Sequence, residues 1–254
     1  MTNKFIFSSK DAFNNAYELY FTKYNRAWFA VASGSIIRGE GTYFSDLDLV
    51  VIYPKLKKAY RESFIYKDMQ VEAFVHDCET IQAFMEEDYK DAHLSIIDMI
   101  VSGKPVPQES PRFLQLKKYA SKYLKKGAQN LKNDQLDTMR YSVSDLIDDL
   151  KGERKPEEIR AILYKLYYSL GELILRYNNM FSSQGKHLPR ILQENFPDYF
   201  KNFEEIMFAA HNNQFSEKHL EKLEEALENN GGYLFNGYSK NAPHDKRKKP
   251  LWLQ

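Results

Sequence analysis

Three carboxylates and a glycine-serine turn carry the residue types and spacing that could do chemistry in this sequence. Asp46 and Asp48 stand two residues apart at the head of an apolar run, LDLVVIY. On an extended chain both side chains leave the same face, which Leu47 and Leu49 do not share. Glu72 occupies a second run, MQVEAFVH, where Val71 and Ala73 point the opposite way. Three like charges converging on one point repel unless something neutralises them. Mg²⁺ does so readily, because it takes oxygen ligands and is held by one or two carboxylates plus substrate phosphates. One or two such ions clamp the attacking and leaving oxygens of an in-line displacement at phosphorus. Glu72 then serves as a further metal ligand or as the general base for an acceptor hydroxyl. Upstream, Gly34 allows the backbone to approach a phosphate without an intervening Cβ, and Ser35 offers a hydroxyl. Arg38, on the short helix expected over 35–38, has two readings: it steadies a phosphate, or it caps a helix face with charge.

The elements that must position these groups follow from periodicity. Phe13, Tyr17, Tyr20 and Phe21 recur at helical spacing over 10–23, which predicts an amphipathic opening helix. The run 28–32 reads as a buried strand stopped by Ser33-Gly34-Ser35, and 47–53 as a second strand that Pro54 helps to end. A hairpin is predicted between 63–66 and 69–76 across Lys67-Asp68. Helical periodicity takes over from about Ile81, and 102–107 resembles a linker rich in Gly and Pro. Beyond it helices are predicted over 112–126, 135–151, 157–181, 188–194, 198–211 and 216–229, the strongest being 157–181 with its Ile159, Ile162, Leu163, Leu166, Leu170, Ile174 and Tyr177 stripe. Strands are thus confined to the first third. The predicted class is α+β: a domain over 1–104 with a short mixed sheet and flanking helices, then an all-helical domain over 105–254, with the cleft between them as the default ligand site.

Taken in order, the stretch GSIIRGEGTYFSDLDLVVIY and the later Glu72 resemble the polymerase-β-type nucleotidyltransferase superfamily, which has a Gly-Ser turn, Ser-Asp-x-Asp on a strand and a carboxylate on a later strand. Within it, the length and helical second half are similar to bacterial aminoglycoside adenylyltransferases. The resemblance implies a Mg²⁺-dependent transfer of AMP from ATP to a hydroxyl of a small acceptor, with an antibiotic of aminoglycoside type as one candidate. It assigns Gly34 and Ser35 to the triphosphate, Asp46 and Asp48 to Mg²⁺, and Glu72 to the base or third ligand. The motif spans about residues 28–76, so the acceptor is not inherited from the helical half. Two other readings compete: transfer to a protein side chain or tRNA end, and a non-catalytic nucleotide-binding module.

In the helical half, Tyr141, Asp145 and Asp148 share one helix face that could meet a cationic acceptor. Lys186 and Arg190 are placed to reach a triphosphate. A solvated surface is the competing reading for both groups. Most of the eighteen tyrosines and seventeen phenylalanines fall on apolar stripes and belong to the core. The basic run Lys246-Arg247-Lys248-Lys249 reads as a solvated tail.

Composition narrows the classes. Lys+Arg is 36 against Asp+Glu 35, a net charge of +1, so no overall field draws the chain to nucleic acid. The lone Cys78 offers neither a disulfide nor a thiolate metal site, and with no apolar leader in MTNKFIFSSK and no run long enough to span a bilayer the expected compartment is the cytoplasm. Gly34 and Gly39 have the spacing of a P-loop, but Glu40-Gly41 stand where its lysine and hydroxyl residue belong.

Overall fold

A computed structural model describes residues 7–242, so the initial MTNKFI and the basic run Lys246–Lys249 lie outside the described residues. The chain divides into two compact units, Met1–Gln129 and Asn130–Gln254.

The first unit is a five-stranded mixed sheet flanked by helices. Helix α1 (Ser9–Thr22) starts at Ser8, whose hydroxyl and the Asp11 carboxylate satisfy each other's backbone amides in a capping box. Strand β1 (Phe29–Ser33) leads into the single turn α2 (Ser35–Arg38), then β2 (Leu47–Tyr53), β3 (Tyr60–Tyr66) and β4 (Met69–Asp77). The sheet order is β3-β4-β2-β1, continued at its far edge by β5 (Lys104–Val106). Strands β2 and β4 run parallel, whereas β1–β2, β3–β4 and β1–β5 are antiparallel. The β3–β4 turn falls at Lys67 and Asp68, both with positive φ (48° and 63°), the twist that a tight two-residue hairpin requires.

Alternation sends Ala30, Ala32, Leu47, Leu49, Val51, Val71, Ala73 and Val75 to one face, where they pack with Ala12, Ala16 and Leu19 of α1. The other face carries Phe29, Asp48, Glu72 and His76. Helix α3 (Cys78–Lys90) covers part of it through Phe84, 4.9 Å from the His76 ring, and α5 (Pro111–Lys126) through Phe113, 5.9 Å from Phe29. Between them, α4 (Ser95–Ser102) packs on β1 and β2. Full burial, as for Phe29 and Phe113, contributes roughly 1.5–3 kcal/mol per side chain, and the half-exposed Phe84 contributes less.

Three details differ from the sequence reading. Segment 102–107, expected to be a linker, contains β5: Ala30, Val31 and Ala32 pair with Val106, Pro105 and Lys104. Three residues flanked by Gly103 and Pro107 are too few to show periodicity, and edge position tolerates Pro105. Strands are therefore not confined to the first third. Because α5 packs on α4, the compact units meet after Gln129 and not after residue 104. The helical pattern from Ile81 also resolves into two helices, separated where Ala92 takes φ 59°.

Among the described residues the second unit is all-helical: α6 (Asn133–Lys151), α7 (Pro156–Tyr177), α8 (His187–Asn195), α9 (Pro197–His211) and α10 (Glu217–Glu228). Its core joins Val143, Ile147 and Leu150 to the α7 stripe Leu163, Leu166, Leu170 and Leu173, and to Phe203, Ile206, Leu223 and Leu227. Helix α7 ends at Tyr177 and not near 181, because Asn179 adopts φ 57°, a left-handed conformation that asparagine accepts at helix ends. After α10 the chain returns along α6. There Leu234 N–H donates to Ser144 Oγ (2.9 Å), and Tyr238 stacks on Tyr141 at 4.1 Å. Among the described residues no helix is long and apolar enough to cross a membrane.

Candidate functional site

The site gathers at one end of the sheet, where β1 finishes and the parallel pair β2 and β4 begins. Register places Asp48 directly opposite Glu72 on one side and Ser33 on the other. Directly opposed residues share a face, so Asp48 and Glu72 project together. Asp46, two residues before Asp48, joins them. Carboxylate oxygens of Asp46, Asp48 and Glu72 all lie within 4.8 Å of one another, the convergence that the sequence spacing predicts.

Asp46 is brought in by a loop that the Gly-Ser turn helps to tie down. Ser35 Oγ donates to Ser45 Oγ (3.2 Å), which also accepts the Thr42 N–H (2.8 Å). Glu40 N–H donates to Ser35 O (2.9 Å), and Gly39 closes α2 with φ 81°. Gly34 has φ 92°, and a Cβ built on it would stand 2.5 Å from Asp48 Oδ2. Glycine is needed there both for the backbone conformation and for room beside the carboxylate.

The electrostatics of the cluster are strained. Burial, then the charges of Asp46 and Glu72, push Asp48 from its ordinary 3.8 up to about 6, with Arg61 and Arg38 working in the opposite direction. Two cations border the site. Arg38 pairs with Glu40 (3.5 Å) and Asp98 (3.8 Å). Arg61 Nη2 donates to Glu72 Oε2 at 2.5 Å, and its Cζ lies 4.9 Å over the Phe74 ring. An open groove of about 290 Å³ beside the cluster is lined by Asp46, Ser63, Phe64, Ile65, Gln70, Val71 and Glu72.

The donor set suits a hard divalent cation. All three groups offer carboxylate oxygen, no histidine or thiolate takes part, and repulsion already penalises the ionised form of Asp48. An ion bound there would relieve that repulsion.

Arg61 is the contact that sequence reasoning missed. The predicted hairpin began at Ser63, whereas β3 starts at Tyr60. Ser63 opposes Glu72, and Arg61 opposes Phe74. Arg61 therefore sits diagonally across from Glu72 on the same face, within reach of a long side chain.

The remaining sequence candidates belong to the second unit. Asp145 is exposed on α6. Asp148 accepts the Tyr233 hydroxyl (2.5 Å) and the Lys151 ammonium (2.9 Å), which hold it below the usual carboxylate range although burial acts the other way. Tyr141 is committed to Tyr238. Lys186 is the exposed N-cap of α8, and Arg190 lies on that helix.

No protein-family model matches this sequence, and no curated protein matches it. Among solved structures, the chain is similar to a nucleotidyltransferase-like protein from Exiguobacterium sibiricum 255-15, with 11% identity over 85% of this chain and 74% of that one and a TM-score of 0.42.

Proposed function

We propose that the chain is a Mg²⁺-dependent nucleotidyltransferase that moves AMP from ATP to a hydroxyl of a small acceptor. One observation carries this reading: carboxylates from β2, β4 and the loop before β2 converge within 4.8 Å beside a glycine whose missing Cβ leaves room for Asp48. Three hard oxygen donors that repel one another are the donor set that a metal-nucleotide complex fills.

Asp46 and Asp48 would hold Mg²⁺, with Glu72 as third ligand or base. When bound, the ion neutralises charge on the phosphate oxygens. The acceptor oxygen attacks the α-phosphorus, the bond to pyrophosphate breaks, and Glu72 takes the acceptor's proton. Gly34 and Ser35 face the departing pyrophosphate, with Arg38 as a further phosphate contact. Most of the rate gain comes from positioning and charge neutralisation.

Incubation with α-labelled ATP, Mg²⁺ and a panel of hydroxylated acceptors, aminoglycosides included, tests the reading. Label should appear on a small molecule, and Asp48→Asn should abolish transfer while circular dichroism stays unchanged. Label on a protein or tRNA would redirect the acceptor, and equal transfer by Asp48→Asn would remove the metal assignment.

A further inference from the structure

We infer that Arg61 is an exchangeable counter-cation: it holds Glu72 in the metal-free protein, yields that oxygen to a divalent cation, and then contacts the polyphosphate that the cation brings. The inference rests on the metal site proposed above and adds a residue that the sequence motif does not contain.

The Arg61–Glu72 pair joins a guanidinium to one member of the carboxylate cluster at 2.5 Å. That oxygen cannot be fully available to a metal ion while the pair persists. The pair is also cheap to break. Arg61 is 57% exposed and Glu72 26%, and exposed ion pairs contribute at most about 1 kcal/mol. Three carboxylates around one ion offer far more attraction than one guanidinium does.

The side chain has a pivot and somewhere to go. Arg61 lies on β3, an edge strand with β4 as its one neighbour in the sheet, and its guanidinium rests 4.9 Å above Phe74. That stacking survives a small swing of the head group. A guanidinium carries five N–H donors, and among the described residues Glu72 is the one hydrogen-bond partner of Arg61. The rest of the fork matches the oxygens of a phosphate. Metal-free, the positive charge offsets carboxylate repulsion; metal-loaded, the same charge meets an anion.

Titration calorimetry with Mn²⁺ alone, and then with inorganic tripolyphosphate at saturating Mn²⁺, tests the exchange on wild type, Arg61→Met and Arg61→Lys. Methionine keeps the contact with Phe74 and removes the charge. Arg61→Met should bind Mn²⁺ about two- to five-fold more tightly, the weight of an exposed pair, and tripolyphosphate about ten-fold more weakly. Arg61→Lys should fall between it and wild type. Unchanged tripolyphosphate affinity in Arg61→Met would overturn the exchange, whether or not Mn²⁺ tightens. Wild-type protein that binds no Mn²⁺ would instead overturn the metal site itself, and the exchange with it.

Discussion

Gly34 and Asp48 compete for the same space: a methyl group on Gly34 would stand 2.5 Å from Oδ2 of Asp48, in a backbone conformation (φ 92°) that side chains rarely adopt. The turn and the carboxylate are therefore one device. Gly34→Ala should cost about 1–3 kcal/mol of stability and should displace Asp48, so that Mn²⁺ affinity falls as well. Thermal unfolding and Mn²⁺ titration of the same variant measure both. Wild-type Mn²⁺ affinity in Gly34→Ala would show that the close approach is unimportant.

Stability without metal should depend on pH through Asp48. Its folded pKa of about 6 lies above its ordinary 3.8, so its contribution is complete below the lower value and is lost as pH rises through the higher one. Asp48→Asn never ionises. In EDTA it should be more stable than wild type at pH 8 by about 1–3 kcal/mol and nearly equal to it at pH 4. Denaturant unfolding at the two pH values decides, and a destabilised variant at pH 8 would contradict the strain.

Protons and metal should compete for the same oxygens. A ligand must be deprotonated to bind an ion, so Mn²⁺ affinity should fall about tenfold as pH drops from 8 to 5. Asp48→Asn should weaken binding at every pH and flatten the dependence. Titrations across this range check the slope.

Much of this geometry was readable in advance because it depends on local rules. The spacing of Asp46 and Asp48 fixes a common face once 47–53 is a strand, and Lys67-Asp68 marks a turn that brings a following strand back. What stayed hidden depended on pairing between distant segments. Arg61 reaches Glu72 only because β3 extends to Tyr60, and the outer part of that strand, YRES, lacks the apolar weight to announce itself. Lys104–Val106 becomes a strand only because β1 offers it an edge. Likewise, the Tyr141–Asp148 side of α6 looks solvent-facing until Tyr233 and Tyr238 return to cover part of it.

That covering separates two acidic residues on α6. Asp148→Asn breaks contacts with Tyr233 and Lys151 and should cost stability, about 0.5–1.5 kcal/mol per hydrogen bond lost. Asp145→Asn should leave unfolding unchanged. Unfolding curves on both variants separate the two, and an equal loss of stability in Asp145→Asn would contradict this contrast.

The central claim is that Asp46, Asp48 and Glu72 jointly hold a divalent cation. Crystals grown with Mn²⁺ and a non-hydrolysable ATP analogue, with data collected to reveal anomalous scattering, test it most directly. The account predicts a peak within bonding distance of Asp46, Asp48 and Glu72 oxygens, with the triphosphate completing the shell and Arg61 turned from Glu72. A map with no peak among these carboxylates, at Mn²⁺ concentrations that saturate any site in solution, would contradict it.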